Sequence, residues 1–276
     1  MRQIRPLDQA LDWLTPSHPK WPSKVKTLMS TRIGGHSMGA YASLNLGDHV
    51  GDDSVLVQKN REQLELLTGN RPVYLKQIHG CEVVFLSPTT PNGTQADVCL
   101  TTHKNLSCTI MVADCLPILM TNMEGTIVGA AHAGWRGLAG IGSRDGRGVI
   151  ENLITSLIDH QALSRAPTSG WLAWLGPCIG AMHFEVGIEV VEAFSGDTQA
   201  EDFFNPLSAG PSPQKWMADL AGLARLRLQR LGVETILGNS GGLDSDMWCT
   251  YIQKDLFFSH RRDKVSGRMA ASIWIT

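Results

Sequence analysis

The stretch from Val112 to Gly137 constrains this chain most, because it sets a thiol and an imidazole at the ends of consecutive buried segments. Leu106 to Val112 and Thr126 to Ala131 are apolar runs with little helical pattern, and each reads as a buried strand. Cys115, in VADCLP, follows the first; His132, in HAGWRG, follows the second and begins a Gly-flanked turn. A third group of the same kind, His79 in KQIHG, follows the short run Val73 to Leu75. One thiolate and two imidazoles suit a borderline-soft ion, and three protein ligands leave a position for water or substrate. His79, Cys115 and His132 therefore read as ligands of one metal ion, zinc first, with copper as the other candidate. Each has a plainer reading taken alone, as a core thiol or a loop histidine. Polar groups that repeatedly interrupt buried strands nonetheless ask for a reason.

The rest of the composition narrows the field. A chain of 276 residues with 43% hydrophobic content has room for a real core, in one large or two small domains. Its 24 basic and 26 acidic side chains nearly balance, so no general field attracts nucleic acid or an anionic membrane. Any anion site must be local. Six cysteines (81, 99, 108, 115, 178 and 249) lack framework spacing and read as reduced thiols in a cytoplasmic protein. No run approaches the ~18 apolar residues of a membrane span, and the N-terminus lacks a signal-peptide pattern.

In chain order, residues 1–24 read as a Pro-rich lead-in with a short amphipathic piece at Leu7, Leu11 and Leu14, packed on the surface. A strand at Val25 to Ser30 leads into a Gly-rich loop, Thr31 to Gly47, able to cradle an anion or to serve as an ordinary connection. A helix is expected over 52–68, with Val55, Leu56, Leu64 and Leu67 on its inner side. Strands at Val73 to Leu75, Val83 to Leu86 and Val98 to Thr101 follow, and the runs between 106 and 131 read as one sheet. A helix spans Asp145 to His160, a buried strand Trp171 to Leu175, and a helix Gly187 to Ser195. Between Lys215 and Leu231 a further helix carries Trp216, Leu220, Leu223 and Leu231 inward, and Arg225, Arg227 and Arg230 on a solvated face. Strands at Val233 to Leu237 and Met269 to Ile275 close the chain. GLAGIG lacks the spacing and acidic partner of a dinucleotide fingerprint, and Cys178 reads as a packed thiol.

Taken together, TRIGG, SLNLGDHVGDD, KQIHG, VADCLPIL, HAGWRG, GPCIG and FFSHRRD with its following GR resemble the YfiH/DUF152 family, historically called multicopper polyphenol oxidase or laccase-domain proteins. The resemblance spans roughly residues 25–275, which makes 25–276 the catalytic domain. It implies a single α+β domain with mixed sheets in an α/β/β/α layered sandwich, and metal ligands that match His79, Cys115 and His132. The implied activities are phosphorolysis of adenosine, inosine and methylthioadenosine, and adenosine deamination. Some members are linked to peptidoglycan precursor editing. The expected partners are thus a purine nucleoside and phosphate, with no nucleic acid or membrane, and a monomer is the simplest assembly.

That chemistry assigns roles. Deamination at a zinc centre wants a carboxylate to move protons, and Asp114 is nearest in sequence to a ligand, although it can instead orient one. Phosphorolysis wants cations for phosphate and for charge leaving on the base. Arg136 is the first candidate and Arg32 the second, with Gln77 and Asn45 as polar readers of purine or ribose. Arg261 and Arg262 offer a further phosphate contact or pair with Asp263 and Asp255. Two other functions compete. His2Cys is also a blue-copper donor set, with Met111 or Met120 axial, but a trinuclear oxidase cluster strains a chain with nine histidines. A cysteine hydrolase built on Cys115 and His132 is weaker, because a metal-bound thiolate is quenched as a nucleophile.

Overall fold

The computed structural model describes residues 14–163, 170–207, 215–243 and 245–276. Two mixed sheets stack face to face. The first runs β1 (Val25–Met29), β13 (Met269–Ile275), β5 (Leu106–Val112) and β2 (Arg71–Tyr74), in that spatial order. The second runs β12 (Thr235–Gly238), β8 (Trp171–Leu175), β6 (Leu116–Asn122), β7 (Val128–Ala133), β4 (Val98–Thr101) and β3 (Val83–Phe85). A small sheet of β10 (Phe204–Pro206), β11 (Trp216–Ala218) and β9 (Glu185–Val186) flanks them.

The period-two alternation of strands decides which layer each side chain enters. Met269, Ala271, Ile273 and Ile275 of β13 pack with Leu119 of β6 and Trp174 of β8 between the two sheets. Leu116, Ile118 and Met120 of β6 face the other way, against α3 (Val149–Leu163) and α5 (Leu220–Arg230). On the far side, Tyr74 and Met111 meet Leu64 of α1 (Ser54–Thr68) and the Leu44 and Leu46 anchor of the Gly-rich loop. The layers are therefore α/β/β/α in one α+β domain, as expected. Strands covered on both faces need apolar residues throughout, which is why these runs show no alternation in sequence.

Several expectations change. The runs between 106 and 131 do not form one sheet: β5 lies in the first sheet and the β6–β7 hairpin in the second, so Cys115 sits where the chain crosses between them. His132 lies within β7 rather than after it. The inner face of α1 is Val57, Asn60 and Leu64, while Val55 is 61% exposed and Leu67 43%. Its boundaries follow local chemistry: Asp53 caps the Val55 and Leu56 N–H groups, and Gly69 adopts the left-handed conformation that ends the helix. Trp216 belongs to β11, so α5 begins only at Leu220, and Leu231 is exposed. A helix α2 (Trp135–Ala139) occupies what reads as a turn. Of the lead-in, Leu14 is buried between the sheets rather than on the surface, and Leu7 and Leu11 lie outside the described residues.

The α5 basic face is solvated only at Arg230. Arg225 donates to the carbonyls of Ile236, Gly238 and Asn239, and Arg227 binds Glu151, Asp197 and the Leu138 carbonyl. Arg227 is only 12% exposed, and it ties α5 to α3 and to the end of α2. Replacing it by Met leaves Glu151 without its cationic partner and Asp197 with Arg230 alone, and should lower the unfolding free energy by about 2–3 kcal/mol in urea titration.

Candidate metal centre

His79, Cys115 and His132 converge where the two sheets meet, with their ligand atoms all within 4.8 Å of one another. The two imidazoles meet edge to face at 4.8 Å between ring centres. The local backbone explains how three distant residues reach one point. Cys115 follows directly on Asp114, whose φ of 92° turns the chain from β5 into β6. His79 has φ of 60° in the crossing from β2 to β3. Left-handed conformations at non-glycine residues cost energy and are retained where surroundings over-determine them.

What over-determines His79 is Asp97, which is fully buried. Its carboxylate accepts the N–H groups of Ile78 (3.1 Å), His79 (3.0 Å) and Gly80 (2.8 Å), and the Nδ1 of His132 at 2.8 Å. A proton on Nδ1 leaves Nε2 of His132 with its lone pair free for a metal. Burial favours the neutral acid, but the His132 contact and the backbone donors outweigh it and hold the Asp97 carboxyl below the usual range. Burial likewise opposes ionisation of Cys115; the His132 and His79 rings within reach of its sulfur overcome this and bring the thiol down to about 6. The same thiolate, with Asp97, lifts His132 to about 9 against its burial. An anionic sulfur, an oriented imidazole and a second imidazole are a donor set that fits zinc. Gly134 is needed beside it: a Cβ there would stand 3.0 Å from the Cys115 sulfur and 3.2 Å from the His79 ring.

The triad opens into a cavity of about 440 Å³. Arg136, on α2, lines it and stacks on Trp135 at 4.3 Å. Gln77 lines it too, but its amide is closed on the Met111 backbone, accepting at 2.7 Å and donating at 2.8 Å. Asp114 also reaches the wall, with both oxygens engaged: one accepts from the Thr250 hydroxyl at 2.7 Å, the other from the Arg261 N–H at 2.6 Å. It fixes the turn, with one hydrogen bond accepted by each oxygen.

The remaining expected substrate contacts lie away from the cavity. Arg32 donates to the carbonyls of Ala42 and Lys254 and covers Phe258. Asn45 is fully buried and bonds to Gly47, Asp52 and the Arg268 N–H. Arg262 spends its guanidinium on the carbonyls of Thr250, Tyr251 and Phe257 and on Asp263. The Gly-rich loop is folded on itself by Asn60 of α1, which donates to the Ser37 hydroxyl, the Ser43 carbonyl and the Asn45 carbonyl. Sequence reasoning missed Asp97, His49, His260, Lys264 and Arg268, of which the last four line the cavity. Arg268 in the closing GR, His49 in SLNLGDHVGDD and His260 in FFSHRRD lie within the motif set, whereas Asp97 and Lys264 left no signal.

The fold is a layered α/β/β/α domain in which a His–Cys–His group that could hold one metal ion stands beside a cavity at the seam of the sheets. The chain belongs to the family described as multi-copper polyphenol oxidoreductase laccase, whose model matches residues 26–276. It is 42% identical over 263 residues to the purine nucleoside phosphorylase YfiH of Escherichia coli, covering 93% of this chain and 97% of that one. It is 40% identical to the purine nucleoside phosphorylase PA4543 of Pseudomonas aeruginosa, over 95% of this chain and 98% of the relative. Among solved structures, the Neisseria meningitidis protein NMB0706, of the DUF152 family, matches with a TM-score of 0.82 and 41% identity, over 95% of this chain and 98% of that one.

Two outcomes test the centre. Gly134→Ala should weaken zinc binding at least about tenfold, read by competition with a chromophoric chelator, with the fold retained by circular dichroism. In metal-free protein, Cys115 should be alkylated by iodoacetamide at a rate that rises with pH through a midpoint near 6. A lowered thiol pKa means the reactive thiolate persists above that midpoint and is lost below it. The other five cysteines are buried, and zinc should protect Cys115.

Proposed function

We propose that this protein is a zinc-dependent purine nucleoside phosphorylase acting on adenosine, inosine and methylthioadenosine, and that it also deaminates adenosine. The observation that carries the reading is the joining of the His79, Cys115 and His132 centre to a cavity whose lining is cationic in a chain of net charge −2. When bound, zinc supplies a Lewis acid beside the purine ring. The names of the curated relatives support the phosphorylase activity.

Trp135, Ile179, Phe184 and Leu220 give the cavity apolar surface for a purine. Arg136 stands next to the centre and contacts the base. In phosphorolysis an oxygen of phosphate bonds to C1′ of the ribose as the bond to the base breaks, the electron pair leaving with the base. Fixed cations favour both the incoming dianion and the departing charge. Asp114 is a positioning residue in this scheme, holding Arg261 and the Cys115 turn in register. Residues 25–276 act as one catalytic unit, and six free thiols support a cytoplasmic setting. Among the described residues no helix is long and apolar enough to cross a membrane.

Zinc-loaded protein incubated with adenosine should yield adenine only when phosphate is present, and inosine with or without it, as resolved by chromatography. An intense visible thiolate band after metal loading, together with catechol oxidation at neutral pH, would overturn the reading in favour of a copper oxidase.

A further inference from the structure

The SLNLG and GR motifs take no part in the metal centre, yet they are joined to each other. Asn45 Oδ1 accepts the N–H groups of both Gly47 (2.9 Å) and Arg268 (2.8 Å), and the Leu46 N–H returns to the Arg268 carbonyl at 3.0 Å. The stem of Arg268 lies against Gly47, where a Cβ would come within 2.8 Å of it. At the tip, Nη1 donates to the Ser266 carbonyl, the Ser266 hydroxyl and the Gly267 carbonyl, at 3.0 to 3.3 Å. Nε and Nη2 form no hydrogen bond among the described residues. One nitrogen is thus tethered to the chain while the remaining N–H edge of a guanidinium stays unspent on a side chain that lines the cavity. His49 and Lys264 line the same cavity, and Lys264, with φ of 61°, follows directly on α6 (His260–Asp263). These three residues come from the first sheet and the connections leading into it, whereas Arg136 belongs to the second, beyond β7. The carboxylate on the same surface, Asp114, has both oxygens engaged.

We propose that Arg268, with Lys264 and His49 beside it, forms the inorganic phosphate subsite, across the cavity from the base held at the metal centre and Arg136. The proposal rests on the phosphorylase reading and assigns its second substrate a place. An immobilised guanidinium edge presents parallel donors that match two oxygens of a phosphate, which a lysine cannot reproduce. The long motif at residues 43–47 is then explained as the clamp that fixes this arginine.

The test uses zinc-loaded full-length protein, as wild type and as Arg268→Gln, Arg268→Lys, Lys264→Gln and Arg136→Gln. Inorganic phosphate binding is read by calorimetry, the phosphate KM by adenine release, and deamination by inosine formed without phosphate. Arg268→Gln should raise both the phosphate Kd and the phosphate KM at least about tenfold, and Arg268→Lys should restore only part of the loss. Deamination measured without phosphate should fall by a smaller factor than phosphorolysis, because it does not use the phosphate subsite. Lys264→Gln, at an exposed position that does not threaten folding, should weaken phosphate about threefold to fivefold. Wild-type phosphate affinity in both Arg268→Gln and Lys264→Gln overturns the proposal, as does a loss confined to Arg136→Gln. Adenosine 5′-monophosphate binding far more tightly than adenosine, in a manner lost in Arg268→Gln, would instead assign the wall to a phosphate carried by the nucleoside and also overturns it. If phosphate binds through Arg268 but no adenine forms, the phosphorylase reading fails and the anion subsite stands. If adenine forms and Arg268→Gln is without effect, the reverse holds.

Discussion

A single buried carboxylate, that of Asp97, ties the site together. It gathers three consecutive backbone N–H groups at residues 78–80 and the imidazole of His132. Those partners lie on separate excursions of the chain, one crossing between the sheets and one inside the second sheet. Charge-assisted hydrogen bonds of this kind are worth about 1.5–3 kcal/mol each, and the buried charge would be prohibitive without them. The consequence is geometric. His79 is held in a backbone conformation it would otherwise avoid, and the His132 ring is fixed through its Nδ1, so the three side chains converge before any ion arrives.

From this anchor the division of the cavity follows. The second sheet brings His132, and α2 directly after it brings Trp135 and Arg136, while the first sheet and its loops bring Arg268, Lys264 and His49. Stacking two sheets face to face leaves a seam at their edge, and the Cys115 crossover lies there because β5 and β6 belong to different sheets. Function concentrates where the chain changes layers.

How much of this was legible in the sequence differs by kind of feature. The strand β5 was read at its exact bounds, and the three side chains that converge as candidate ligands were visible because thiol and imidazole groups beside buried runs are chemically conspicuous. Asp97 was not, since an aspartate before a strand looks like any turn residue until its four donors are placed around it. Arg32, Asn45 and Arg262 show the converse difficulty. A polar side chain that binds a ligand and one that binds a distant carbonyl have the same one-dimensional signature, and all three proved to bind the protein itself. Arg227 misled for a related reason: helical periodicity placed it outside, but the acids of Glu151 and Asp197 come from elements the periodicity does not contain. The basic residues of the lining, Lys264 and Arg268, and the imidazoles at 49 and 260 were dispersed along the chain, and only folding assembles them.

The central claim is that one thiolate and two imidazoles hold a single ion with room for a further ligand. X-ray absorption at the zinc edge of the loaded protein tests it most directly. The account predicts one sulfur near about 2.3 Å and nitrogen or oxygen neighbours near about 2.0–2.1 Å completing a tetrahedron, with the sulfur shell absent in Cys115→Ser. A first shell without sulfur in the wild-type protein, or one unchanged in Cys115→Ser, would contradict it.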